Sequence, residues 1–134
     1  MNEYIPTLII DWLDAGHRVL WTHEVRRLRA ADFCFYISCG QIVGLNILKQ
    51  YRNNLVVHES DLPQGKGWSP LTWQILEGQN FIPVTLFEAA EKVDSGVIYA
   101  QEWISFEGHE LVGELRAAQA KATIGLCKKF IESY

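Results

Sequence analysis

The segment Phe33-Cys-Phe-Tyr-Ile-Ser38 is the strongest constraint on the fold. Its near-continuous apolar character suits a strand covered on both faces, because an exposed face would alternate apolar with polar. Such strands belong to α/β architectures, in which helices pack on either side of a sheet. The neighbouring pattern agrees. Residues 5–15, with Pro6 in the first turn and Gly16 at the stop, read as a helix. Residues 17–22 (HRVLWT) read as a strand, 24–32 as a short polar connection or helix turn, and 45–51 as a short helix. Asn54–His58 reads as a second buried strand, and residues 69–78 as a helix with Ser69 as N-cap and Pro70 at its first position. Residues 82–89 and 96–104 read as strands. A long amphipathic helix follows from about Glu110 to Tyr134, with Leu111, Leu115, Ala118, Ala122, Leu126 and Phe130 on one face. The expectation is one α/β domain over 1–134, its sheet mostly parallel, with an antiparallel pair among the last strands.

Composition narrows the function class. Half of the 134 residues are apolar, and the net charge is −4. Arg26, Arg27 and Arg29 form the one basic cluster. They sit beside Glu24 and Asp32, so a solvated face is expected and not a nucleic-acid patch. No apolar run is long enough for a membrane span, so no membrane partner is expected. Cys34, Cys39 and Cys127 lack metal-type spacing. They read as small buried or half-buried thiols in a reducing, cytoplasmic setting, and no metal is expected.

The candidate chemistry sits at predicted carboxyl ends of strands, where α/β sheets bind ligands. The strand Asn54-Leu-Val-Val-His58 delivers a histidine into the polar turn Glu59-Ser-Asp-Leu-Pro63. Asp94 lies in the turn Asp94-Ser-Gly96, and Ser38–Gly40 form a third turn. Each has an ordinary alternative. His58 alone is a strand-end histidine, Asp94 alone a turn former, Lys66 a solvated loop charge, and Trp68 and Trp73 packing anchors. His17, His23 and His109 suggest no catalytic task.

Taken together, "VVHESDLPQGKGWSP" and "KVDSG" resemble the formyltransferases that use 10-formyltetrahydrofolate. In that family a strand ends in Asn-x-His, a proline-containing turn and a glycine-rich loop follow, and Asp-x-Gly comes later. The resemblance spans most of residues 8–105 and implies a Rossmann-like formyltransferase sheet. It places His58 on the family's histidine as acid/base and oxyanion donor, and Asp94 on its aspartate as the orienting partner. Val56 takes the position of the family's asparagine. The resemblance further implies a folate subsite around Ser38, Gly40, Gln41, Ile42, Ala90 and Val93, and a substrate loop containing Gln64, Lys66, Gly67 and Trp68. The wording around His58 is most similar to formyltransferases of surface-sugar pathways, the pseudaminic acid type among them. This implies a nucleotide-linked amino sugar as acceptor and 10-formyltetrahydrofolate as co-substrate.

Two departures matter. Valine cannot hydrogen-bond a carbonyl, so Ser38, Ser60, Gln41 or a backbone N–H of residues 65–69 would have to replace the missing donor. The family's first strand has no counterpart at the amino end, which leaves a sheet edge that a second copy could cover. A catalytically weak family remnant acting as a ligand-binding or subunit-interaction module is therefore the alternative. An amino-terminally shortened enzyme is a third reading.

Overall fold

The computed structural model describes residues 1–134. Helix α1 spans Ile5–Asp14, strand β1 Ala31–Tyr36, helix α2 Leu45–Leu48 and strand β2 Tyr51–His58. Helix α3 spans Pro70–Leu76, strands β3 and β4 Phe81–Glu88 and Ile98–Ser105, and helix α4 Val112–Glu132. The four strands form one sheet in the order β1-β2-β3-β4. β1 and β2 are parallel, joined through α2, whereas β2–β3 and β3–β4 are antiparallel. Parallel pairing is thus confined to one half of the sheet. A parallel pair needs a crossover, and only the β1–β2 and β2–β3 connections contain a helix. Helix α3 in the latter is short and lies with a loop that folds back to the same end of the sheet.

β3 is central and buried from Ile82 to Phe87. Strand alternation sends Leu55, Val84 and Leu86 to one face, where they meet Ala122, Leu126 and Phe130 of α4. The 21-residue α4 therefore covers the sheet's broadest apolar surface. On the opposite face Cys34, Tyr36, Leu48 and Tyr51 form a second cluster under α2. The start of α4 is held by Glu114, whose carboxylate accepts the Leu111 N–H at 2.7 Å. Just upstream, Glu110 accepts the N–H groups of Glu107 and Gly108, and these bonds lower its carboxyl below the ordinary value.

Residues 17–22 do not form the expected strand. They carry no regular secondary structure: no strand lies alongside to supply hydrogen bonds, and most are exposed. His23 accordingly ends no strand. β1 is an edge strand, and α1, residues 17–32 and β1 enclose an open hollow of about 1300 Å³. Ser69 precedes α3 but makes no capping hydrogen bond, because its left-handed φ of 53° turns the backbone sharply into Pro70.

Candidate active site

β2 carries His58 to the carboxyl end of the sheet, and three connections converge there: residues 37–44, 59–69 and 89–97. They surround a cleft of about 450 Å³, within the range of small-molecule sites. His58 lies at its base. Its Nε2 is 2.9 Å from the Gly65 carbonyl oxygen and 3.5 Å from Asp94 Oδ2. A carbonyl only accepts, so the bond to Gly65 assigns the proton to Nε2. The 3.5 Å approach to Asp94 is an ion-pair contact once the imidazole is protonated, and longer than a good hydrogen bond. Both side chains are about one-tenth exposed.

The surrounding loops are held by polar contacts that fix this geometry. Thr85 Oγ1 donates to the Ser60 carbonyl at 2.7 Å, and Gln101 Nε2 bridges Thr85 Oγ1 and Asp61 Oδ1. Gln74 donates to the carbonyls of Glu59 and Pro70. The turn at Gly65 admits no side chain: its φ is +67°, and a Cβ there would lie 2.8 Å from the Ser60 Cβ. Asp94 sits at φ 52°, a region that aspartate tolerates better than most residues. The Gly67 N–H donates to Asp94 Oδ2 at 3.2 Å, tying the 59–69 loop to the 89–97 loop across the cleft.

Most of the residues singled out from the sequence meet here. Ser38, Gly40, Gln41, Ile42, Ala90 and Val93 line the cleft with Val56, His58, Asp94, Gly67 and Trp68. Trp68 reaches across it, its indole 3.6 Å from where a Cβ of Gly40 would stand. Ile42, Trp68 and Val93 are exposed apolar side chains on its rim. Gln64 and Lys66 are exposed and lie outside the cleft wall. Ser60 is buried with a hydroxyl that has no partner, and it too lies outside the lining. Val56 packs half-buried against the cluster of Cys34, Tyr36, Leu48 and Tyr51. No three His, Cys, Asp or Glu side chains are grouped to hold a metal.

The sequence reading did not single out the α4 wall. Glu59, Arg116, Gln119 and Thr123 also line the cleft. Their signal was present, since Arg116, Gln119 and Thr123 share a helix face at spacings of three and four. The apolar stripe of α4 masked it.

The cysteines differ from the expectation of three buried or half-buried thiols. Cys34 and Cys127 are buried, and burial raises both thiols, Cys127 to about 12. Cys39 is exposed on the 37–44 loop, where it lines the cleft. Brief iodoacetamide treatment of the native protein at pH 8 is expected to modify Cys39 alone, as read by peptide mass spectrometry. Equal labelling of Cys127 would contradict the packing of α4.

Comparison with known proteins identifies the family and the fold. The family model described as "Formyl transferase" matches residues 13–126. The methionyl-tRNA formyltransferase of Mycoplasma capricolum is 28% identical over 107 residues, covering 78% of this chain and 34% of that protein. The methionyl-tRNA formyltransferase of Agathobacter rectalis is 33% identical over 93 residues, covering 69% of this chain and 30% of that protein. The chain thus spans about a third of the length of these curated relatives. Among solved structures, a Mycobacterium tuberculosis protein described as a sugar N-formyltransferase candidate aligns with a TM-score of 0.70 at 20% identity, covering 97% of this chain and 62% of that one. Glycinamide ribonucleotide transformylase 1 from Geobacillus kaustophilus aligns with a TM-score of 0.61 at 21% identity, covering 71% of this chain and 51% of that one. These likenesses establish a formyltransferase-like, Rossmann-type α/β fold. With the family model matched across most of its length, the chain belongs to the formyl transferase family.

Proposed function

We propose that this chain transfers a formyl group from 10-formyltetrahydrofolate to the amine of a nucleotide-linked amino sugar.

 The observation that carries this reading is the meeting of His58 and Asp94 at 3.5 Å, sheltered at the base of a cleft of about 450 Å³. Formyl transfer is acyl transfer. The neutral amine attacks the formyl carbon, negative charge builds on the carbonyl oxygen, the amine sheds a proton, and tetrahydrofolate departs with its nitrogen reprotonated. The site must supply a donor to the oxyanion and a group that moves the proton. Protonated, His58 donates from Nε2 toward the oxyanion; neutral, it accepts the amine proton at its free ring nitrogen. Asp94 opposes the imidazolium charge and orients the ring. To reach the formyl oxygen, Nε2–H must exchange the Gly65 carbonyl for substrate.

The exposed loops at 37–44 and 89–97, with Ile42 and Val93 as apolar walls, suit the flat pterin of the folate. Trp68, whose indole approaches Gly40, stands over the same loops. Of the side chains considered as replacements for the family's asparagine, Ser38 and Gln41 line the cleft. Loss of one oxyanion donor lowers turnover by roughly 10²–10³-fold. A second reading, a slow or inactive binding module, is favoured by one observation: Val56 is packed into an apolar cluster and offers no donor.

Calorimetry with 5-formyltetrahydrofolate, paired with a formyl-transfer assay on amino sugars, separates the two. Binding with product formation supports the enzyme. Binding without product on any amino sugar supports the module. No folate binding refutes both.

A further inference from the structure

The α4 wall of the cleft contains a linked set of polar groups that the histidine–aspartate chemistry does not use. Glu59 follows the last residue of β2, and its carboxylate reaches α4. There Gln119 Nε2 donates to Glu59 Oε1 at 2.6 Å, and Arg116 Nη1 donates to Gln119 Oε1 at 2.9 Å. The guanidinium can only donate and the carboxylate only accept, so together they fix which way the carboxamide points. Glu59 Oε2 accepts no bond within the chain. One helical turn from Gln119, Thr123 is 2% exposed and its Oγ1 has no partner, although it lines the same cleft. A buried hydroxyl left unpaired is costly, and native proteins rarely keep one without a ligand or water to satisfy it.

We propose that Glu59, Gln119 and Thr123 form the subsite for the hydroxyl groups of the acceptor sugar, with Arg116 as a positioning residue acting through Gln119. The inference deepens the amino-sugar reading and rests on it. A carboxylate with one oxygen tethered and the other free accepts hydrogen bonds from neighbouring sugar hydroxyls without being able to rotate away. The orphaned threonine hydroxyl supplies a further donor or acceptor. The subsite lines the same cleft as His58 and the loops assigned to the pterin, so acceptor and formyl donor would share one enclosed space at the imidazole.

The test uses the intact chain and two ligands. Saturation-transfer NMR with 4-amino-4,6-dideoxy-D-glucose reads the sugar subsite, and calorimetry with 5-formyltetrahydrofolate reads the folate side. Glu59→Ala, Gln119→Ala and Thr123→Val are each expected to reduce the sugar signal at least fivefold, with folate affinity within twofold of wild type. Thr123→Val keeps the side chain's shape, so its thermal midpoint is expected to stay level or rise, and loss of sugar signal cannot then be ascribed to unfolding. Arg116→Lys is expected to retain more sugar signal than Arg116→Ala. Unchanged sugar signals in all three variants, or folate affinity falling in parallel, would overturn the subsite. A wild type that binds folate but no sugar also overturns it and leaves formyl transfer standing. A wild type that binds sugar through Glu59 but no folate keeps the subsite and refutes the folate-dependent reaction.

Discussion

His58→Gln is expected to lower formyl transfer by about 10²–10⁴-fold, the usual contribution of a positioned acid or base. Glutamine is the informative replacement. Its amide N–H can still donate to the Gly65 carbonyl, which Nε2 of the imidazole meets at 2.9 Å, so the 59–69 loop keeps its anchor. What it lacks is a ring nitrogen able to take up and release a proton in the reaction. Asp94→Asn is expected to act in the same direction, by removing the charge opposite the imidazolium while the Gly67 N–H still has an oxygen to bind. Folate affinity should change little in either variant, because both side chains lie at the base of the cleft and the loops form its walls. Single-turnover kinetics beside a calorimetric titration would check this. A His58→Gln protein that turns over at the wild-type rate would remove the imidazole from the mechanism.

Gly96→Ala is expected to have the largest effect on the fold of any single-methyl addition. A Cβ at this position would lie 1.7 Å from the Glu88 carbonyl oxygen and 2.7 Å from its carbon. No rotamer change can relieve a clash with backbone. The chain must shift where the Glu88 N–H donates to the Val97 carbonyl at 2.8 Å, the bond that closes the 89–97 loop. Overpacking typically costs about 1–3 kcal/mol, and loss of this bond adds to it, so about 3 kcal/mol or more is expected. Asp94, two residues away, would leave its place beside His58, so activity should fall even at temperatures where the variant remains folded. Gly113→Ala is the matched control. It lies in α4 with open space around its Cβ position, and should stabilise by up to about 1 kcal/mol. Urea denaturation of the pair checks both signs, and equal midpoints would show that the approach of Gly96 to Glu88 is misjudged.

Elements with strong local patterning were legible from the sequence. The runs through Phe33–Tyr36 and Leu55–His58 form strands, and α4 covers the sheet with the Ala122, Leu126 and Phe130 face expected of it. His58 and Asp94 stood out because the residues around them occur in a recognisable order. Residues 17–22 show the limit of such patterning. Their apolar, β-branched character suits a strand, but a strand exists only if another supplies hydrogen bonds, and none lies beside them. The directions of β3 and β4 were equally beyond a local pattern, since a buried strand has the same composition whether its neighbour runs parallel or antiparallel.

The composition of the strands and the helical period of α4 therefore followed from the order of residues, because burial imposes a periodicity on each element separately. The site did not. That His58 meets Asp94, that Trp68 stands over Gly40, and that Glu59 reaches Gln119 across 60 positions of chain are decided by how the loops close over one end of the sheet. Those contacts depend on distances between separate elements, which no element's own sequence records.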